Sequence, residues 1–336
     1  MITYIVRRLL LVIPTLLGIT LACFILIQLV PGGPVEEMIS KIQGFSNARG
    51  GGSHSISPAE VQNIKAYFGF DRPPHERYLL WLGNLLRGNL GNSYIYHKPV
   101  LDVILSKMPL SLFFGLTSFF LSYLVSIPLG LSKAIRNRSP YDTTTSILIF
   151  AGYVMPGFAL GILLIIFFGG GSFLNWFPIS GLVSDNFEFL PPGDKVLDFL
   201  HHMVLPLICY MISEFAFLTL LTKNSVLEEM NKDYIRTALA KGVPFRTAIR
   251  KHALRNALIP LATGMGGIFT VMFTGALLIE KVFDLDGMGL LFYNAITGRD
   301  YNIVLGLIVL ISFFAIIGRL FSDFLYAVVD PRIRFN

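Results

Sequence analysis

Few residues of this chain are placed to do chemistry. One carboxylate, Glu214, lies inside a long apolar stretch, where a charge is unfavourable unless it faces water, a partner or a proton. Three readings of it stay open: it lines a solute pathway and meets a substrate amine, it packs in protonated form, or it contacts a second membrane subunit. The pathway role is carried forward as the expectation. Cys23 and Cys209 also fall within apolar stretches, and no CxxC, CxxH or HxxxH spacing occurs, so neither a disulfide framework nor a metal site is expected. His201-His202 stand at the edge of an apolar run and read as interfacial anchors. No GxxxxGK[ST] phosphate loop is present, so nucleotide chemistry of that kind belongs to other polypeptides. An intramembrane protease would need a paired nucleophile and base at membrane depth, and the apolar runs offer one acid and no histidine. A non-catalytic chain without cofactor or metal is the expectation.

A mechanical task is written instead in Lys223–Asn256, KNSVLEEMNKDYIRTALAKGVPFRTAIRKHALRN, which is long, basic and patterned as helix. Asp233 to Lys241 reads as one helix, Gly242 supplies the positive φ that closes it, and Pro244 suits the opening turn of a second. Such an elbow can press into a partner's groove, with Ala238 and Ala240 small enough for close approach and Lys241, Arg246 and Arg250 at the rim. A basic amphipathic hairpin lying on anionic lipid fits the same pattern. Further along, Asp284, Asp286 and Asp300 either receive a solute or its carrier, or solvate a partly re-entrant turn built on Gly287 and Gly289. Carrier docking at Asp284 and Asp286 is the expectation.

The elements that position these residues are membrane helices. Of 336 residues 54% are apolar, 14% are charged and 29 are Phe, which exceeds what a water-soluble domain carries. Uncharged runs long enough to cross a hydrocarbon layer of about 30 Å recur throughout. They are Leu9–Val30, Leu110–Leu131, Thr143–Phe168, Met203–Thr222, Ala257–Ile279 and Tyr301–Gly318, giving an all-α integral membrane fold with six transmembrane helices. Pro14, Pro128, Pro156 and Pro206 inside them predict kinks satisfied by neighbouring helices.

Lys and Arg collect on the cytoplasmic side of short loops. Residues 1–8, 132–142, 223–256 and 319–336 together hold 16 basic residues, whereas 169–202 and 280–300 hold 3, so both termini and the elbow are expected inside. The formal net charge of +6 therefore sits beside membrane ends and attracts anionic headgroups rather than nucleic acid. Arg7-Arg8 before an apolar run resembles a signal sequence, but a 22-residue run is longer than an h-region and reads as an uncleaved anchor over 1–30. Residues 31–109 form an outer subdomain, 110–323 a five-helix core, and 324–336 an inner tail. Within the subdomain Gly44–Ser57 reads as a flexible insertion, followed by a capping box at Ser57-Pro58-Ala59-Glu60. The helix begun there buries Val61, Ile64 and Phe68 and ends at Gly69, and Tyr78–Leu86 lies along the bilayer interface with Tyr78 and Trp81 as anchors.

RTALAKG followed by HALRNALIP resembles the cytoplasmic signature of binding-protein-dependent importer permeases, in their peptide-transporting branch. The family pattern is EAA, three residues, Gly, nine residues, then I-x-L-P. Arg236-Thr237-Ala238 stands at EAA, Gly242 at Gly, and His252-Ala253-Leu254-Arg255 where I-x-L-P belongs. Glu and Pro of that pattern are missing, while Pro260 keeps a helix start. RRLLLVIPTLLGI, LVPGGP at Leu29–Pro34, GFDRPPHERYLLWLGNLLRGNLGNS, EKVFDLDGMGLLFYNAITGRDYNIVLG and VDPRIRF are also similar to dipeptide and oligopeptide permeases, and the spacing around LTKNS at Leu221–Ser225 resembles the Yej-type B branch.

The resemblance implies a subunit of the bacterial inner membrane that imports peptides. It implies a second homologous permease, cytoplasmic ATP-binding subunits and a periplasmic peptide-binding protein as partners, with ATP and Mg held by those subunits. Arg236, Thr237, Ala238, Ala240, Lys241, Gly242, Pro244 and Arg246 are the implied ATPase-coupling residues. The rival is a stand-alone secondary transporter or channel, which would need intramembrane charge pairs or inverted repeats; neither is seen in the sequence.

Overall fold

A computed structural model describes residues 2–29, 31–48, 57–170 and 173–329. Among them the chain is helical, and no strand forms beyond one isolated bridge between Asn92 and Pro99. In chain order the helices are α1 (Ile2–Leu29), α2 (Pro34–Ala48), α3 (Pro58–Tyr67), α4 (Pro74–Leu86), α5 (Val100–Ile135), α6 (Pro140–Val154), α7 (Gly157–Phe168) and α8 (Pro192–Met230). There follow α9 (Asp233–Ala240), α10 (Phe245–Ala248), α11 (Leu254–Ala257), α12 (Ile259–Gly264), α13 (Gly267–Thr274), α14 (Leu277–Val282), α15 (Met288–Thr297) and α16 (Tyr301–Val329).

Four helices, beginning at Leu10, Val100, Pro192 and Tyr301, are long and apolar enough to cross a membrane. Up to six spans result if each of two bent pairs is one crossing. The third expected span is one such pair, broken by 104° between α6 and α7. Proline disfavours the helical region for the residue before it, and Met155 accordingly sits extended at ψ 122° with Pro156 capping α7. The fifth is bent by 41° at Met265-Gly266. There the two backbones touch directly: a Cβ on Gly266 would overlap the carbonyl oxygen of Gly318, and Ser322 Oγ accepts from the Gly266 N–H at 3.0 Å. No other residue type fits that crossing.

The chain divides into two compact units. One comprises Leu110–Leu290 with Phe314–Asn336 and Met1–Ile5. Its core gathers Phe114, Met203, Leu205, Cys209, Phe283 and Leu285 from α5, α8 and the α14 region. Phe273 stacks on Phe314 with ring centroids 3.6 Å apart.

The other unit comprises Val6–Pro109 with Leu291–Phe313. The capping box forms as read: the Ser57 hydroxyl accepts from the Glu60 N–H at 3.2 Å, and the Glu60 carboxylate accepts from the Ser57 N–H at 2.8 Å. Val61, Ile64 and Phe68 are half-buried rather than buried, because a helix of ten residues on a small subdomain is covered on one side only. Helix α2 continues through Ala48, so Gly44–Ala48 are not loop; the rest of the expected insertion, 49–56, lies outside the described residues, as does most of the VDPRIRF segment. Tyr78 and Trp81 stack on each other, and Tyr78 packs against Phe24 of α1 at 5.3 Å with its hydroxyl 3.0 Å from that of Thr20. These aromatics therefore dock on α1.

Candidate functional site: a basic elbow and its anchors

The elbow is built where α8 stops. Asn231 ends α8, α9 runs over Asp233–Ala240, and Lys241-Gly242 turns the corner with Gly242 at φ +83° and open space around its Cα. Any residue with a Cβ is strained at that angle. Pro244 does not start the second helix but caps it at ψ 138°, and α10 begins at Phe245. A single wide turn over Ile249–Ala253 then joins α10 to α11.

Below the corner the elbow is solid. Ile235, Ile249, Ala253 and Ala257 pack with Val226 of α8 and Ala134 of α5, all at most 1% exposed. Polar staples reinforce the packing. The Glu229 carboxylate accepts from the Lys232 ammonium and the Tyr234 hydroxyl, and Asn256 Nδ2 donates to that hydroxyl at 3.1 Å. One chain of contacts thus joins α8, α9 and α11. Burial, and the Glu229 carboxylate it donates to, push the Tyr234 phenol up to about 12, so it stays a donor at neutral pH. The same carboxylate raises the Lys232 ammonium above its ordinary value.

A second staple sits at the neighbouring corner. Lys133, wholly buried on α5, lies 3.1 Å from Asp142 Oδ1 and donates to the Asp142 carbonyl, Thr145 Oγ1 and Ser146 Oγ. Lys223 of α8 donates to Asp142 Oδ2 at 2.7 Å. Breaking a buried pair of this kind by removing one partner destabilises by about 3–5 kcal/mol. Sequence reading placed Asp142, Lys133 and Lys223 among the loop charges, since nothing in their order along the chain announces that three helices bring them together.

The tip is presented outward. Arg236, Thr237, Ala240, Lys241, Gly242, Pro244, Arg246 and Arg250 are exposed, and Ala238 is half-buried. Arg236 pairs with Asp233 at 3.5 Å on the surface. Two apolar residues missed in the sequence stand among these cations: Leu239 is 37% and Phe245 45% exposed. Their signal was available, as each lies within two or three residues of the glycine corner while the buried stripe uses Ile235 and Ile249.

The other expected sites fare differently. Glu214 is half-buried on α8 and takes no hydrogen bond or ion pair among the described residues. Asp284, at φ +52°, and Asp286 are exposed. Asp300 is not a docking residue: it is fully buried, accepting from Ser93 Oγ at 2.5 Å and from the N–H groups of Tyr94 and Ile95 at 2.8 and 3.1 Å. Both readings left open for it in the sequence, receiving a solute or carrier and solvating a turn, need an exposed acid, whereas a tight turn that needs a buried acceptor consumes it. Glu280 was likewise missed. It is 0% exposed and accepts from the Tyr210 hydroxyl at 3.1 Å and from the N–H groups of Ala276 and Leu290 at 3.0 and 2.7 Å. Among the described residues no group of three or more His, Cys, Asp or Glu is placed to hold a metal.

The model of the family described as binding-protein-dependent transport system inner membrane component matches residues 126–335, the elbow included. This chain belongs to that family. It is 41% identical to the peptidoglycan transport system permease protein YejB of Agrobacterium fabrum, over 99% of this chain and 98% of the relative. It is 34% identical to the oligopeptide transport system permease protein AppB of Bacillus subtilis over the full length of both, and 34% identical to the dipeptide transport system permease protein DppB of Escherichia coli K12 over 99% of each chain. RTALAKG, the segment that carries the resemblance in the sequence, lies on α9 and its corner.

Proposed function

We propose that this chain is the transmembrane permease subunit of an ABC importer that moves peptides into the cytoplasm. The energy comes from ATP hydrolysis in partner subunits docked on the elbow. One observation carries the reading: an outward tip of cations and two apolar side chains is mounted on a buried core shared with α5 and α8. A hairpin resting on lipid needs no such rigid mounting, whereas a part that receives force does. Full-length similarity to permeases named for oligopeptide and dipeptide transport supports the cargo. The relative named for peptidoglycan transport extends it to peptide-bearing peptidoglycan fragments, and competition between such fragments and free peptides for uptake separates the two cargoes.

Basic residues around the elbow support a cytoplasmic location for it and for both termini. A second homologous permease completes the pathway and a periplasmic peptide-binding protein delivers cargo to Asp284 and Asp286. Glu214, with no hydrogen bond or ion pair among the described residues, faces that pathway and meets cationic groups of the peptide. Closure of the ATPases pushes α9, and the Glu229 and Asp142 staples pass the displacement into α5, α6 and α8 as units.

Replacing Phe245, which is exposed, by Ala leaves the fold intact and weakens ATPase docking by about 1–2 kcal/mol, as expected for a truncated apolar anchor. Co-purification of the ATP-binding subunits with tagged F245A and G242V chains measures this. Undiminished recovery of those subunits with both variants, together with normal uptake, removes the elbow from the coupling path.

A further inference from the structure

The second unit holds a cavity of about 430 Å³, within the range that binds small molecules. Its apolar wall comes from Phe24 and Ile27 near the end of α1, Leu80 of α4 and Leu305 of α16. Because α1 is uncharged from Leu9 to Leu29, the cavity lies against the end of an apolar helix, where a membrane helix leaves hydrocarbon. Polar groups converge on the same space: Arg77, the amides of Asn84, Asn89 and Asn302, and the phenol of Tyr94. The Asp300 carboxylate fixes the last of these by holding the Ser93–Ile95 backbone.

Arg77 is the informative member. Its guanidinium carbon stands 3.8 Å from the centroid of Phe70 and 5.8 Å from that of Phe24. Burial pulls it below the usual arginine value, with Tyr94 and Tyr301 pulling the other way. No carboxylate pairs with it among the described residues. The rim carries Asp71 and Arg72, both exposed, so the lining keeps one positive charge in surplus. Beside it Trp81 has an indole N–H that meets no acceptor among the described residues. A half-buried cation and an orphan donor in an aromatic cavity are an incomplete set, and an oxyanion completes it.

We infer that this cavity binds an anionic amphiphile, a molecule with one phosphate or carboxylate beside an apolar group, the oxyanion on Arg77 and the apolar part against Phe24, Ile27 and Leu80. Two sources share that chemistry: a phospholipid of the surrounding bilayer and a short apolar peptide with a free C-terminus. The inference does not rest on the transport role argued above.

The test uses the full chain in a neutral maltoside detergent, carrying Trp176→Phe so that Trp81 alone reports by fluorescence. Four probes are titrated: short-chain phosphatidylglycerol, short-chain phosphatidylcholine, N-acetyl-Leu-Phe and N-acetyl-Leu-Phe amide. At least one anionic probe is expected to saturate and to bind about tenfold or more tightly than its counterpart without net negative charge. Saturation by phosphatidylglycerol identifies lipid as the source, and saturation by N-acetyl-Leu-Phe identifies peptide. Arg77→Gln is expected to abolish the preference. Equal titration within both pairs, absence of saturation, or a preference that survives R77Q overturns the assignment. If R77Q does not accumulate, the preference measured in the W176F chain decides alone.

Discussion

Replacing Glu280 by Gln keeps the size of the side chain but turns one acceptor oxygen into a donor facing N–H or O–H groups. The carboxylate serves Tyr210, Ala276 and Leu290 at once, so at least one of those donors is orphaned in a site with no access to water. The loss expected is about 1–3 kcal/mol, read as a lower melting temperature of the purified chain in detergent. Gly287→Ala meets the same cage from outside, since a Cβ there would lie 2.6 Å from the carboxylate carbon. An unchanged melting temperature for E280Q would show that the carboxylate does not hold this turn. These acids were illegible in the sequence. Asp300 follows Gly298-Arg299 and reads as solvated loop, while Glu280 stands at the end of an apolar run beside Lys281, and only the folded chain shows that Gly275 and Gly287 make room for Glu280 as a buried acceptor.

The elbow was the most legible element, because its punctuation is local. A glycine at positive φ and a following proline set the corner whatever surrounds them, and the structure shifts Pro244 by a single position, from helix start to cap. The bends at Pro156 and Gly266 were less so: a composition window sums over both halves of a broken span and cannot register 104° between them. Tyr234 makes a pH-dependent prediction at this scale. Its folded value is raised from 10.0 to about 12, so its contribution is complete below pH 10 and disappears as pH rises through about 12. Lys232 is raised in the same sense and adds loss above its ordinary range. Tyr234→Phe lacks the titrating hydroxyl, so proteolytic nicking at 241–244 should increase between pH 10 and about 12 in the unaltered chain, and much less in the variant, which starts looser. Parallel pH profiles for both chains would discard the Glu229–Tyr234–Asn256 staple.

For the molecule as a whole, family membership and helical class were readable from composition and from RTALAKG, which require no knowledge of packing. Long-range polar contacts were not, since Lys133 and Lys223 meet Asp142 across different helices. Lys133→Met should therefore lower the amount of intact chain recovered from membranes and destabilise it by about 3 kcal/mol, the low end for a broken buried pair because Lys223 still neutralises the acid. Recovery and melting temperature equal to those of the unaltered chain would make the pair dispensable.

Lys133 also constrains how the chain is assembled during synthesis. Its first partners, Asp142, Thr145 and Ser146, emerge from the ribosome nine to thirteen residues later, whereas Lys223 is translated only after a further stretch of roughly 80 residues. The order of synthesis thus lets the ammonium pair across the α5–α6 corner first, and the later arrival of α8 adds Lys223 to a joint already formed.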